Sequence, residues 1–390
     1  MSRTLTDRSS GAAGRDVVLR ADDLRVTIPT PGGQVRAADG VSFVLRQGQT
    51  LGVVGETGSG KSVTCRALLG LRPSPRAVLS GSVTHPGLDD RNVLGLSPRQ
   101  LRHRWGRHVA LVPQNPMSAL NPVRTIGDQV AEAVAASRAL RGAALHRAVL
   151  QLLERVGIPA AARRLDDHPH QFSGGMLQRT LIAIALAGDP RVLVADEPTT
   201  ALDVLVQDQI LSLLVDLKRD VGMALVLVTH DLAVVAQMSD RIAVMYAGQF
   251  LETARTAQLL EDPRHPYTDA LLHALPGAVA RDQPLAVIPG SPPQLVDLPS
   301  SCRFLPRCAR ADPGCPGWRT ELLTVGAVRD GGAAAAGRDG GEGTAGEHLT
   351  RCRRHDDLAR LRDPGGGRTQ DPTDHTDSGR DIAPQTRSTR

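Results

Sequence analysis

The chain has 390 residues, 41% hydrophobic and only 2% aromatic, with a formal net charge of +5. That length leaves room for one large domain with an extension, or for two domains. No apolar run approaches the length of a membrane span, the opening MSRTLTDRSSGAAGRD lacks the apolar stretch of a secretory leader, and the small positive excess is spread along the chain rather than gathered in a nucleic-acid-binding stripe.

Residues 1–16 are small and polar, and a disordered start is expected. From Val17 the pattern is strand-like: VVLRADDLRVTI, a turn-rich PTPGGQ, then VSFVLRQG. TLGVVGETGSGKSVTCRALLGL reads as an apolar strand, a glycine-rich loop and a helix. Residues 127–157 and 176–188, rich in Ala and Leu, read as helical. RVLVADEP and MALVLVTHD carry short continuous apolar runs, the pattern of strands buried on both faces of a parallel sheet. DRIAVMYAGQFLE reads as a hairpin. Proline becomes frequent from about 255, where HPYTDALLHALP predicts one short helix bounded by prolines. Residues 330–346, DGGAAAAGRDGGEGTAG, are low in complexity and read as a flexible insertion. Residues 356–390 are polar with mixed charge, and disorder is expected there. No internal repeat is visible, and the fold class is α/β.

The stretch GETGSGKS, 55–62, fits G-x-x-x-x-G-K-[S/T] between a strand and a helix, the context that pattern requires. Gly55, Gly58 and Gly60 let the backbone of Gly55, Glu56, Thr57, Gly58, Ser59 and Gly60 curl with its N–H groups inward, a nest for an anion at a helix N-terminus. Lys61 then places a compact ammonium on the β- and γ-phosphates, and Ser62 offers a hydroxyl to Mg²⁺. Of the 46 basic residues only Lys61 and Lys218 are lysines, so one of two stands where a point charge is required. LVADEPTTALD ends a buried run in two carboxylates: Asp196 suits Mg²⁺ through water, and Glu197 suits a general base. In FSGGMLQR, Ser173 is a good helix N-cap, and Gly174 and Gly175 leave the first amides open to an anion. His230, after the strand ALVLVT, is placed to reach a γ-phosphate. Taken singly, an ordinary capped helix, a solvated turn, a structural histidine or, for Gln114 in LVPQNPMSALNP, a proline-bounded loop explains each as well; the set is what carries the chemistry.

In this order and spacing the motifs resemble the nucleotide-binding subunit of ABC transporters over residues 17–255. Gly55–Ser62 matches Walker A, Gln114 the Q-loop, SGGM at 173–176 the signature usually written SGGQ, Asp196 the end of Walker B with Glu197 after it, ALD at 201–203 the D-loop, and His230 the H-loop. PQNPMSALNP, FSGGMLQR, HPYTDALL and PGSPPQLVDLPSSCRFLPRC further resemble the oligopeptide/dipeptide and nickel importer branch, carrying the likeness to about residue 320.

The resemblance implies a P-loop NTPase fold, with a RecA-like core, an antiparallel β subdomain and a helical signature subdomain, followed over 256–355 by a small irregular C-terminal extension. It implies ATP held by Gly55–Ser62 and Mg²⁺ held by Ser62, Gln114 and Asp196. Glu197 and His230 are then catalytic. Ser173, Gly174, Gly175 and Asp203 close on ATP bound by a second subunit, a paralogue or another copy. Two transmembrane permease subunits and an extracytoplasmic binding protein complete the expected assembly, at the cytoplasmic face of the membrane and without nucleic acid. Its work would be import of peptides or a related solute such as nickel. The alternative, a soluble ABC ATPase acting on ribosomes or DNA, usually has two such domains in one chain or a long coiled coil between motifs, and neither is present. A third reading makes the C-terminal region a separate metal-bearing interaction module.

Three positions depart from the family pattern. No aromatic residue precedes Phe43, so the usual stacking partner for adenine is missing. Thr57 replaces a common serine. Leu177 stands where many relatives carry Arg or Gln, and altered contacts near the partner's nucleotide are expected. Among the five cysteines, Cys65 on the helix after the phosphate loop reads as a small core residue. Cys302, Cys308, Cys315 and Cys352 suit Zn²⁺, an iron–sulfur centre or free thiols. The C-x₂-C spacing typical of zinc is missing, and the resemblance favours a [4Fe–4S] cluster.

Overall fold

The computed structural model describes residues 16–87, 90–200, 202–275, 287–318, 320–325 and 347–356. The expectations of disorder at the N-terminus, of a flexible insertion over 330–346 and of a disordered tail lie outside these residues, save for Asp16 and Asp356.

β1 (Val17–Thr30) and β2 (Gly33–Arg46) form a long antiparallel pair closed at Thr30 opposite Gly33. β3 (Thr50–Val54) runs into the phosphate loop and α1 (Lys61–Leu68), and β4 (Val78–Thr84) returns to pair with β1, giving an antiparallel sheet ordered β2–β1–β4. After α2 (Pro98–Arg102) and β5 (Val109–Val112), the chain builds a helical layer: α3 (Pro116–Ala119), α4 (Ile126–Arg138), α5 (Gly142–Arg155) and α6 (Gly174–Leu186). The single helical stretch expected over 127–157 is two helices. Ala139 ends α4 in the left-handed conformation at φ 52°, and the chain turns before Gly142.

Then follow β6 (Val192–Asp196), α7 (Val204–Val221), β7 (Ala224–Thr229), α8 (Leu232–Met238), β8 (Arg241–Tyr246) and β9 (Gln249–Arg255). α9 (Thr256–Glu261), α10 (Pro266–His273), β10 (Leu323–Thr324) and β11 (Leu349–Thr350) complete the described chain. Five parallel strands, ordered β8–β3–β7–β6–β5, form the centre of the second sheet, and antiparallel β9, β11 and β10 extend it past β8. Every residue of β3, β6, β7 and β8 is buried, which is why each reads as an unbroken apolar run. The β8–β9 hairpin turns on Ala247 and Gly248, both at positive φ (46° and 83°), the geometry that matches the twist of the flanking strands.

Three apolar cores organise these layers. One joins the main sheet to the helical layer through Val130, Leu153, Ile182 and Leu214. A second fills the space between the two sheets with Leu19, Val41, Phe43, Cys65 and Leu68, and Cys65 is the buried small residue anticipated from the sequence. The third, around Tyr246, Tyr267 and Phe304, fastens the proline-rich C-terminal region to β8 and α10. Among the described residues no helix is long and apolar enough to cross a membrane.

Candidate active site

The parallel strands deliver the motif residues to neighbouring ends of the sheet. The loop after β3 wraps so tightly that a Cβ on Gly60, which sits at φ 102°, would lie 2.0 Å from the Ala37 carbonyl oxygen. Only glycine fits there. Lys61 is buried and its Nζ donates to the carbonyl oxygens of Gly55 (2.8 Å) and Glu56 (2.9 Å). Burial lowers the Lys61 pKa, while Glu197 and Asp196 act in the opposite sense. The buried Ser59 hydroxyl has no hydrogen-bond partner among the described residues, and Thr57 and Gly58 are exposed at the loop tip.

Ser62 Oγ donates to Asp196 Oδ1 at 2.9 Å, joining the first turn of α1 to the end of β6. Burial raises the Asp196 pKa; the Ser62 bond opposes this and the Glu197 charge adds to it. A divalent cation between these two oxygens would replace that bond and relieve the carboxylate crowding, so the donor set fits Mg²⁺. Glu197 adopts φ 48°, rare for a non-glycine residue, and is pinned there by its N–H to the Val228 carbonyl at 2.8 Å. Its buried carboxylate accepts from Gln114 Nε2 (2.8 Å) and Thr200 Oγ1 (2.9 Å), lies 4.0 Å from Lys61 Nζ, and stands 3.6 Å from His230 Nδ1. His230 itself is more than half exposed.

Lys61, Ser62, Gln114, Asp196, Glu197 and His230 thus form one constellation. Ser173, Gly174, Gly175 and Asp203 form a second. Ser173 Oγ caps α6 through Met176 N (3.4 Å), Asp203 Oδ1 caps α7 through Val206 N (3.0 Å), and Gly174 and Gly175 lie against Leu202 and Val206. Ala201 of the ALD triplet lies outside the described residues. Val204 and Leu205, next to Asp203, are about three-quarters exposed. Leu177 corrects its expectation: it is buried in the helical core, with no outward surface to offer a nucleotide. Phe43 is also buried, against Phe250, so it adds no platform for a base.

Sequence reasoning missed Thr200, although a hydroxyl three residues past a carboxylate at a strand end is a recognisable turn pattern. It also missed two residues that touch Glu56 from the C-terminal region: Tyr267 Oη accepts from the Glu56 N–H at 3.1 Å, and Arg307 Nη1 donates to both carboxylate oxygens at 3.0 Å. No local pattern announces contacts across more than 200 residues.

Cys302, Cys308, Cys315 and Cys352 all line one cavity of about 310 Å³, with Arg310, Arg351, Arg353 and Arg354 also on its wall. None of the four is joined in a disulfide. Burial pushes Cys302 up to about 11 and Cys352 up to about 12, and raises Cys308. Among the described residues no group of three or more His, Cys, Asp or Glu side chains has the geometry to hold a metal ion. The structure therefore gathers the four thiols around one space without forming a single-ion site. Four sulfurs around a space larger than one ion, with cations to balance a cluster's negative charge, are chemically compatible with an iron–sulfur group.

Comparison with known proteins agrees with this layout. Residues 38–200 match the family model described as ABC transporter, and 251–315 match that of the oligopeptide/dipeptide transporter C-terminal region. A Brucella abortus protein provisionally named a peptide import ATP-binding protein is 46% identical over 298 residues, 76% of this chain and 89% of its own. The dipeptide transport ATP-binding protein DppD of Escherichia coli is 43% identical over 314 residues, 80% of this chain and 94% of its own. Among solved structures, the ATP-binding cassette MJ0796, in a dimeric post-hydrolysis state bound to ADP and Pi, superposes with a TM-score of 0.54. It is 26% identical and covers 61% of this chain and 98% of its own. With the P-loop fold, the constellation around Glu197 and both family regions in place, the chain belongs to the ABC transporter ATP-binding family, in the group that carries the oligopeptide/dipeptide transporter C-terminal region.

Proposed function

We propose that this chain is the ATP-hydrolysing subunit of an importer of di- and oligopeptides. The observation that carries the reading is the convergence of Lys61, Ser62, Asp196, Glu197 and Gln114 at the ends of β3, β5 and β6. ATP occupies the loop 55–62, with Lys61 and loop amides other than that of Glu56 on its phosphates. Ser62, Asp196 and Gln114 would hold Mg²⁺, which when bound would supply neutralisation of charge on the transferring phosphoryl group. Glu197, fixed by Gln114 and Thr200, takes a proton from the attacking water, and His230 approaches from the end of β7 toward the γ-phosphate. Residues 17–255 serve as the nucleotide-binding domain and 256–355 as its extension.

The second constellation acts on a partner. Ser173, Gly174, Gly175 and Asp203 cover ATP held by a second ATPase subunit, a paralogue in preference to another copy, and exposed Val204 and Leu205 support a contact there. Two membrane permease subunits meet the surface after Gln114, where Met117 and Val123 are exposed. The chain works at the cytoplasmic face, with substrate delivered by an extracytoplasmic binding protein. Cys302, Cys308, Cys315 and Cys352 hold a [4Fe–4S] cluster in preference to zinc, as a structural element.

Co-expression with candidate permease and ATPase partners, followed by uptake into vesicles supplied with a dipeptide, a longer peptide or Ni²⁺, tests the transport assignment. ATP-dependent peptide accumulation that Lys61→Ala abolishes is expected. Accumulation of Ni²⁺ and not peptide, or of neither, overturns it. Anaerobic purification with iron and sulfide analysis tests the cluster: about four of each per chain is expected, and stoichiometric zinc or no metal refutes it.

A further inference from the structure

A phosphate loop must hold its amides in one arrangement before nucleotide arrives, or binding bears the cost of ordering it. In this chain Glu56, the first variable residue of that loop, is gripped on both main chain and side chain by residues more than 200 positions away. Its N–H donates to Tyr267 Oη on α10, and its two carboxylate oxygens accept from Arg307 Nη1. Its carbonyl accepts from Lys61 Nζ. The N–H and carbonyl of Glu56 are therefore both paired within the protein, and its amide is not among those left for phosphate.

The gripping residues are themselves immobilised. Tyr267 is fully buried, 4.7 Å centroid to centroid from Tyr246 and 5.2 Å from Phe304. Arg307 is buried, donates through Nε to the Pro289 carbonyl (2.7 Å) and through Nη1 to Tyr246 Oη (3.3 Å), and places its guanidinium 5.8 Å from the Tyr246 ring centroid. Burial works against the Arg307 charge, but the bonds to Tyr246 and Glu56 outweigh it and raise the pKa. β8 carries no carboxylate, and the one on β9, Glu252, is already engaged by His348 and by the Arg264 and His265 N–H groups. The Arg307 ion pair lands inside the loop that cradles phosphate.

We propose that Arg307 and Tyr267 are positioning residues for ATP, clamping Glu56 so that the phosphate loop stays in its nucleotide-receiving shape. The proposal rests on the reading of residues 55–62 as the ATP phosphate site. Releasing the clamp lowers the fraction of molecules with a competent loop, and apparent ATP affinity falls in proportion. The loss appears in KM, with far less in kcat once nucleotide is bound and the loop is held by phosphate.

The test uses the full chain. ATP binding is followed by calorimetry, and MgATP steady-state kinetics are measured in the assembled transporter. Arg307→Met is expected to raise both Kd and KM for ATP about tenfold, with Arg307→Lys recovering part of the loss. Tyr267→Phe raises KM about threefold. Glu56→Gln, a near-isosteric change at a partly exposed side chain, weakens ATP binding comparably to Arg307→Met, and the Glu56→Gln/Arg307→Met double variant is no worse than either single change. Unchanged KM in Arg307→Met and Glu56→Gln, or additive losses in the double variant, overturns the clamp. Lys61→Ala serves as the separating control. If it binds ATP normally, the phosphate-site reading is what fails; if it abolishes binding while Arg307→Met leaves KM unchanged, the clamp alone is wrong.

Discussion

Replacing Glu197 by Gln separates chemistry from binding at this site. The amide keeps an oxygen for the bonds from Gln114 Nε2 and Thr200 Oγ1, so the side chain stays in place at its φ of 48°. It loses the proton-accepting charge, and general-base catalysis of this kind contributes about 10²–10⁴ in rate. It also removes an anion 4.0 Å from Lys61 Nζ. At an effective dielectric constant of about 20, two unit charges at that distance attract by about 4 kcal/mol, so the lysine charge freed from Glu197 is turned toward the nucleotide phosphates. The variant is expected to hydrolyse ATP at least 100-fold more slowly, yet bind it as tightly as the parent or more so. Phosphate release under single-turnover conditions and calorimetric ATP titration read the two quantities independently. Turnover within about tenfold of the parent would remove Glu197 from the role of base, and a matching loss of ATP affinity would mean that its carboxylate serves to build the site.

Other consequences can be measured directly. Phe304 is 2% exposed and sits among Tyr246, Tyr267 and His265; Phe304→Ala should cost about 3–5 kcal/mol, read by denaturant unfolding, with amide exchange accelerated first at 302–308, and a loss under about 1 kcal/mol would contradict the packing. Thr200→Ala should lower kcat about three- to tenfold at constant KM, since one charge-assisted bond to Glu197 goes and Gln114 remains; a change confined to KM would place Thr200 in binding. Burial, then the Arg351 charge, depresses His265 from 6.5 to about 3. Its contribution to stability is therefore complete above pH 6.5 and is lost as pH falls toward 3, amounting to roughly 2 kcal/mol at pH 5. His265→Asn keeps an acceptor for the Tyr267 N–H at the α10 N-cap and should flatten the unfolding profile between pH 6.5 and 5; an unchanged profile would assign the acid sensitivity elsewhere.

What the sequence disclosed followed from how local each signal was. β3, β6 and β7 are buried throughout, so their apolar runs stood out, and the phosphate loop and the Asp196–Glu197 pair announced themselves at their ends. α7 was passed over although it is 18 residues long. Its core positions, Ile210, Leu211, Leu214 and Leu217, have helical spacing, but exposed Val204 and Leu205 at its start blur the period. The break between α4 and α5 depends on Ala139 adopting a conformation that alanine rarely takes, which no propensity would foretell. The four C-terminal cysteines were legible as a group, but their gathering around one cavity depends on the way β11 pairs with β9 and brings Cys352 back. The grip of Arg307 on Glu56 was invisible for the same reason: only the folded chain makes those residues neighbours.

Three of the four cavity cysteines sit beside a buried arginine that reaches into the ATPase body. Arg303, after Cys302, pairs with Asp39 on β2 and bonds the Ala247 carbonyl; Arg307, before Cys308, holds Glu56; Arg351, before Cys352, bonds the carbonyls of Phe250 and Gly40. The thiol cavity and the phosphate loop are thus two ends of one short lever. Linkage makes such a lever work in both directions: by whatever factor an occupant of the cavity changes the hold on ATP, ATP changes the hold on that occupant by the same factor. If the cysteines hold an occupant, nucleotide in the loop would then become a determinant of how readily it is taken up or surrendered.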